Sequence, residues 1–179
     1  DRCPVAAPRL VVATGGLSIP KLGATDFGYR LARQFHHRIV DPRPGLVPLV
    51  FASDEWAPYA ALAGLSLPAR IEAGLGKHRT GFTDDLLFTH RGLSGPAVLQ
   101  ASSYWGEGEA LHIDLSPSER LDVPLRNSKL TSRRQVGNQL AQWVPQRLSD
   151  AWLRQLDIDA ALPMPQVRDR DLNRLAESL

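Results

Sequence analysis

Residues Leu10–His37, LVVATGGLSIPKLGATDFGYRLARQFHH, read as a short strand, a glycine turn, a second tight turn and an amphipathic helix. Leu10, Val11 and Val12 form an apolar, β-branched run bounded by Thr14-Gly15-Gly16. That pattern predicts a strand buried on both faces, as in a parallel sheet. Gly28, Leu31, Ala32 and Phe35 then recur at helical spacing and put one apolar stripe on a helix. A strand that ends in two glycines lets a ligand approach the backbone with no Cβ in the way. In open α/β sheets the ligand crevice lies at the carboxyl ends of the strands.

The same residues carry a resemblance. ATGGLSIPKLGATDFGYRLA at 13–32, LLFTHRGLSGPAVLQASSYW at 86–105 and, more weakly, VPQRLSDAWL at 144–153 resemble the HI0933-like (YhiN-like) family of bacterial FAD-dependent oxidoreductases. The resemblance implies that FAD lies at the parallel sheet, with backbone contact near Ala13, Thr14, Gly15 and Gly16. It also implies hydride or electron transfer to or from a small substrate, with NAD(P)H as an electron donor. A dinucleotide site needs a glycine-rich βα turn of G-x-G-x-x-G type to seat the pyrophosphate on a helix N-terminus. The sequence contains no such turn, nor the GTEGY-like string of the family's C-terminal segment. The expectation is therefore an internal fragment, whose partners are the remaining halves of the FAD domain.

The expected fold class is α+β. Residues 1–45 read as part of an FAD-binding, Rossmann-like α/β domain, 46–116 as an inserted β-sheet or barrel, and 117–179 as an inserted helical region. Asp41-Pro-Arg-Pro-Gly45 marks the first boundary, because two prolines and a glycine make a stiff connection. Leu46–Phe51 reads as a strand that Pro48 confines to an edge or a bulge. Leu65, Leu67, Ala69, Ile71 and Ala73 alternate with Ser66, Pro68, Arg70 and Glu72 and predict a half-buried strand. Leu86–Thr89 and Leu111–Leu115 are further strands. Ser132-x-x-Gln135 fits a capping box before a helix through Val136, Leu140, Trp143 and Val144. Pro145 suits the first position of the next helix, marked by Leu148, Trp152 and Leu156. Leu172, Leu175, Ala176 and Leu179 mark a last one.

Composition narrows the classes. A hydrophobic fraction of 43% over 179 residues supports a packed core. Lys+Arg 21 against Asp+Glu 19 argues against a nucleic-acid footprint, and no run approaches the ~20 apolar residues of a membrane span. The single cysteine, Cys3, excludes an internal disulfide framework and a cysteine zinc cluster. Together with the absence of a signal-peptide pattern it fits a cytoplasmic setting.

Other candidate motifs have simpler readings. Gly92-Leu-Ser-Gly-Pro96 approaches the G-x-S-x-G nucleophile elbow but fails at Pro96. Ser94 or Gly95 as N-cap, with proline in the first turn, accounts for it. His90 reads as a hydrogen-bonded loop histidine rather than a proton-transfer group. His36-His37 reads as a helix end, and His78 and His112 lack ligand-spaced neighbours, so no metal is expected. Lys129 with Ser132-Arg133-Arg134 is a basic cluster that reads as a solvated helix face. The four tryptophans read as core positions. No residue is assigned a catalytic role. The rival reading is a non-catalytic interaction module, with self-association through the orphaned first strand.

Overall fold

Strand β2, Ser66–Ala73, organises the larger part of the chain. Its burial alternates strictly, with Leu67, Ala69, Ile71 and Ala73 buried and Ser66, Pro68 and Arg70 exposed. A period of two on a pleated strand sends alternate side chains to opposite faces, so one face is core. β2 pairs antiparallel along its whole length with β3, Thr80–Phe88, in a register that sets Leu67 against Leu86 and Ile71 against Phe82. β1 (Leu49–Val50), β4 (Gly92–Ser94) and β5 (His112–Asp114) complete an antiparallel sheet in the order β1-β4-β3-β2-β5. The sheet curls into a half-barrel. β5 pairs only with Arg70–Glu72, so Pro68 lies where β2 has a neighbour on one side alone. Its missing N–H costs no ladder bond there.

The structure is a computed structural model that describes residues 6–179; Cys3 lies outside the described residues. By its internal contacts the chain divides into Asp1–Pro44 and Gly45–Leu179. In the first unit, α1 spans Phe27–Gln34, preceded by a 3-10 turn at Pro20–Leu22. The predicted strand at Leu10–Val12 is not formed. These residues are extended but unpaired, and Val11 is 86% exposed. A strand meant for the inside of a parallel sheet has no ladder without its neighbours. A Rossmann-like fragment is accordingly not seen. Gly28 of α1 lies close on this segment: a Cβ there would stand 3.3 Å from Val12 Cγ1.

In the second unit α2 (Ser53–Trp56) and a 3-10 turn (Ala57–Leu62) lead into β2. α3, Pro96–Ser102, lies on the sheet and buries Ala97, Val98 and Ala101 completely. α4 (Asp122–Thr131), α5 (Val136–Leu140), α6 (Gln146–Gln155) and α7 (Asp169–Glu177) follow. One continuous core joins them to the sheet: Leu125, Leu140, Leu148, Leu153, Met164 and Leu175 are all wholly buried. An aromatic chain also links the two: Phe51 stacks on Trp56 at 4.8 Å, and tilted contacts join Trp56 to Tyr59 at 5.2 Å and Tyr59 to Trp152 of α6 at 5.7 Å. Arg147 of α6 donates to the carbonyls of Ala61 and Ala63, which would otherwise close the 3-10 turn unpaired.

Some local expectations change. Ser132 is not an N-cap: it ends α4, and its hydroxyl donates to Gln139 Oε1 at 2.9 Å. Gln135 is the N-cap of α5, and Pro145 is the N-cap of α6 rather than its first residue. At Gly92–Pro96 the chain forms β4 and then α3, with Gly95 as N-cap at φ +94 and no side-chain cap. Ser94 therefore carries no capping bond. The motif is explained by close backbone approach. A Cβ on Gly95 would stand 2.6 Å from Asp85 O and 2.9 Å from Leu87 N, and one on Gly92 would stand 2.0 Å from Leu49 O.

Gly95→Ala must therefore move α3 off β3 or strain the backbone. We expect it to cost about 2 kcal/mol or more, whereas Ser94→Ala should cost no more than about 0.5 kcal/mol. For a unit of this size that is a drop in thermal midpoint of about 4–8 °C or more for the glycine variant alone. Equal midpoints by circular dichroism would show that the close approach is not required.

Candidate functional site

The residues expected to touch a cofactor lie together in the first unit. Ala13, Thr14, Gly15 and Gly16 form an exposed, irregular stretch just before the bend that leads into the 3-10 segment. Gly15 adopts φ +71, a conformation that glycine accepts at no cost. A Cβ on Gly15 or Gly16 would meet nothing within 4 Å, so the turn opens onto free space. Thr14 is held differently: its Oγ1 lies 2.9 Å from where a Cβ on Gly28 would stand. Only a residue without a side chain lets α1 lie so close to the ATGG stretch. Among the described residues, no hydrogen bond occupies the backbone N–H groups of Thr14, Gly15 and Gly16. Free, adjacent donors on a glycine turn can meet a polar ligand atom in place of water.

The other residues singled out in the sequence fall elsewhere. His90 is at the tip of the β3–β4 turn, which Thr89 closes through Oγ1 and N–H bonds to Gly92 O at 2.9 and 2.8 Å. The expected hydrogen bond to His90 is absent among the described residues, and its ring is exposed. His36 follows α1 at φ +60, and His37 N–H donates to Ala32 O at 3.0 Å, a helix end as expected. His112 faces Glu72 across the β2–β5 pair. Among the described residues no cluster of His, Cys, Asp or Glu could hold a metal ion. Trp56 is core and Trp143 and Trp152 are half-buried, but Trp105 is 36% exposed and donates to Glu109 O at 2.7 Å. Among the described residues, no helix is long and apolar enough to cross a membrane.

Two charged assemblies on the second unit were not foreseen. Glu72 bridges Arg70, at 3.0 Å, and Arg79 on the outer face of the half-barrel. The hydrogen bond from Arg70, joined by the charge of Arg79, holds its carboxyl below the usual carboxylate range. On the helical side, Lys129 of α4 pairs with Asp169 of α7 and Arg126 donates to Asn173 at 2.9 Å. Lys129, through its hydrogen bond and charge, and then Arg126 lower the pKa of Asp169. Arg126, Lys129, Leu130 and Asp169 line an open cavity of about 550 Å³. Sequence reading singled out Lys129, with Arg133 and Arg134, as a solvated helix face, but neither Arg126 nor the meeting of two helices here.

Comparison with known proteins adds what geometry does not. Residues 43–179 match the family model described as HI0933-like protein barrel and H2TH domain. A ribosomal RNA dihydrouridine synthase of Haemophilus influenzae is 45% identical over 148 residues, covering 82% of this chain and 36% of that protein. The protein of the same name from Escherichia coli is 42% identical over 176 residues, 98% of this chain and 43% of its own length. A 3-dehydro-bile acid delta(4,6)-reductase of Clostridium scindens is 33% identical over 103 residues, 57% of this chain and 24% of that enzyme. The chain thus spans less than half the length of these relatives.

Proposed function

Because this chain belongs to the HI0933-like family, we propose that it is the barrel-and-helix portion of an FAD-dependent reductase acting on a uridine of ribosomal RNA. The observation that carries the reading is the pair of relatives, 45% and 42% identical, that are named for dihydrouridine in ribosomal RNA. The name of the Clostridium scindens relative supports the chemistry from another side. Uridine and a dehydro-steroid both present a carbon–carbon double bond conjugated to a carbonyl. Saturating it takes a hydride on one carbon and a proton on the other. FAD, once reduced by NAD(P)H, would supply the hydride when bound.

The chain's own contribution to the flavin site is one wall. Ala13–Gly16 offers free backbone donors at a turn where no side chain intrudes, and this fits a cofactor oxygen. The wall is completed by the remaining parts of the flavin domain, whose strands flank Leu10–Val12. In this reading residues 46–116 are the barrel and 117–179 the helical region, and together they shape the substrate side. The setting is the cytoplasm, where ribosomal RNA lies. In this reading the substrate is a nucleotide within a large RNA, in place of the small substrate that the resemblance implied and despite the charge balance that argued against a nucleic-acid partner.

Two outcomes follow. Ribosomal RNA from cells lacking the gene should lose a two-hydrogen mass increment at one uridine, which complementation restores; unchanged RNA masses would contradict the substrate assignment. Separately, the 179-residue chain should purify without flavin, because the pyrophosphate cradle is not in it. In the complete protein Gly15→Val should lower bound flavin per chain more than it lowers the thermal midpoint, since valine accepts neither the positive φ nor the close approach. Full flavin occupancy in that variant would remove the cofactor from Thr14–Gly16.

A further inference from the structure

The basic cluster between α4 and α7 has no task in the fold that accounts for all of its charge. Arg133 and Arg134 sit in the connection from α4 to α5 and are exposed. Neither side chain has a hydrogen bond or ion pair among the described residues. Their backbone is nevertheless fixed. Met164 N–H donates to Arg134 O at 2.9 Å, Arg134 N–H donates to Ser132 Oγ at 3.2 Å, and Gln135 bridges to Pro163. The same bridge brings the segment after Met164 alongside, and with it Arg168, the exposed N-cap of α7, whose guanidinium is also unpaired among the described residues. Lys129 and Arg126 lie on the adjoining face of α4 and line the open cavity with Leu130. Asp169 is the carboxylate among these five cations; Asp171, the next acid along α7, is held by Arg170 and Arg174.

A chain of net charge +2 therefore concentrates positive charge on one rigid corner of its helical region. Lys129 and Arg126 add their charge while held by Asp169 and Asn173. Arg133, Arg134 and Arg168, long cationic side chains on a fixed backbone with no partner among the described residues, suit a row of phosphates. They contrast with Arg70, Arg79 and Arg147, which are tied down internally. Leu130 is 85% exposed, but no aromatic side chain stands among these residues to stack on a base or to anchor in a lipid headgroup layer. The corner is thus suited to a phosphate backbone and not to reading bases or inserting into a membrane.

We propose that Arg126, Lys129, Arg133, Arg134 and Arg168 form a docking surface for the phosphate backbone of structured RNA. It rests on the RNA reading above and deepens it: the helical region grips the RNA backbone without sequence preference of its own.

The test is fluorescence anisotropy of the full chain with a labelled duplex RNA hairpin, from about 50 to about 300 mM KCl. Each phosphate contact contributes about 0.7–0.9 to the slope of log K against log salt. Arg133→Gln with Arg134→Gln should weaken binding about tenfold near 100 mM KCl and flatten that slope by about 1.5. Arg168→Gln alone should flatten it by about half as much, and Arg154→Gln on α6, outside the cluster, should change neither quantity. Unchanged thermal midpoints establish that the variants are folded. The proposal is overturned if the native chain does not bind the hairpin at the lowest salt, if the double variant binds as the native chain does, or if anionic phosphatidylglycerol vesicles bind more tightly than RNA at equal salt. The RNA mass measurement in cells is independent of all three, so failure here leaves the substrate assignment to stand or fall on its own result.

Discussion

The fold of the second unit depends on one backbone contact: the seating of Gly95 against Asp85 O and Leu87 N of β3. At that point the chain turns from β4 into α3, and nothing larger than hydrogen fits between helix and sheet. Because α3 arrives so close, its Ala97, Val98 and Ala101 reach the inner face of the half-barrel and are fully buried. Small side chains serve there because the gap is already narrow. The helix end then fixes the entry to the unit, since Ser102 and Ser103 hydroxyls accept the N–H groups of Val47 and Leu46 at 2.9 and 3.3 Å. From there the aromatic chain through Trp56 and Tyr59 carries the packing to α6.

The second unit was legible where one period dominates. β2 announces itself because every inward residue from Leu67 to Ala73 is apolar. β3 was read only at its end, because Thr80–Asp85 is polar or small apart from Phe82 and is a strand by virtue of its partner, not its own pattern. β4 is three residues long and was hidden inside a motif that looked chemical. α4 was blurred by Val123 and Leu130, 58% and 85% exposed, which break the single apolar stripe expected of a buried helix. In the first unit the strand at Leu10–Val12 was read from real β-propensity. A parallel strand, however, is made by its neighbours, and the chain itself does not supply them.

The candidate site divides along the same line. The ATGG turn was visible as a glycine pattern, and the resemblance to a flavoprotein family gave it meaning; its open backbone and the packing of Thr14 on Gly28 are what geometry adds. Lys129, Arg133 and Arg134 of the basic corner were visible in the sequence, Arg126 and Arg168 were not, and the whole-chain balance of 21 against 19 concealed the rest. Summed charge averages over both faces of a protein, whereas phosphate sees only the residues in reach, within about a Debye length of 8–10 Å. Arg133, Arg134 and Arg168 come together through the Gln135–Pro163 bridge, a pairing between segments far apart in sequence.

Gly45–Leu179 holds a core of its own, whereas Leu10–Val12 has no ladder partner among the described residues. Hydrogen exchange of the chain as a proven monomer tests this most directly. The account predicts strong protection at amides of Ile71, Leu86 and Leu148 and near-free exchange at Val11 and Val12. Protection of Val11 and Val12 equal to that of Ile71 would contradict it.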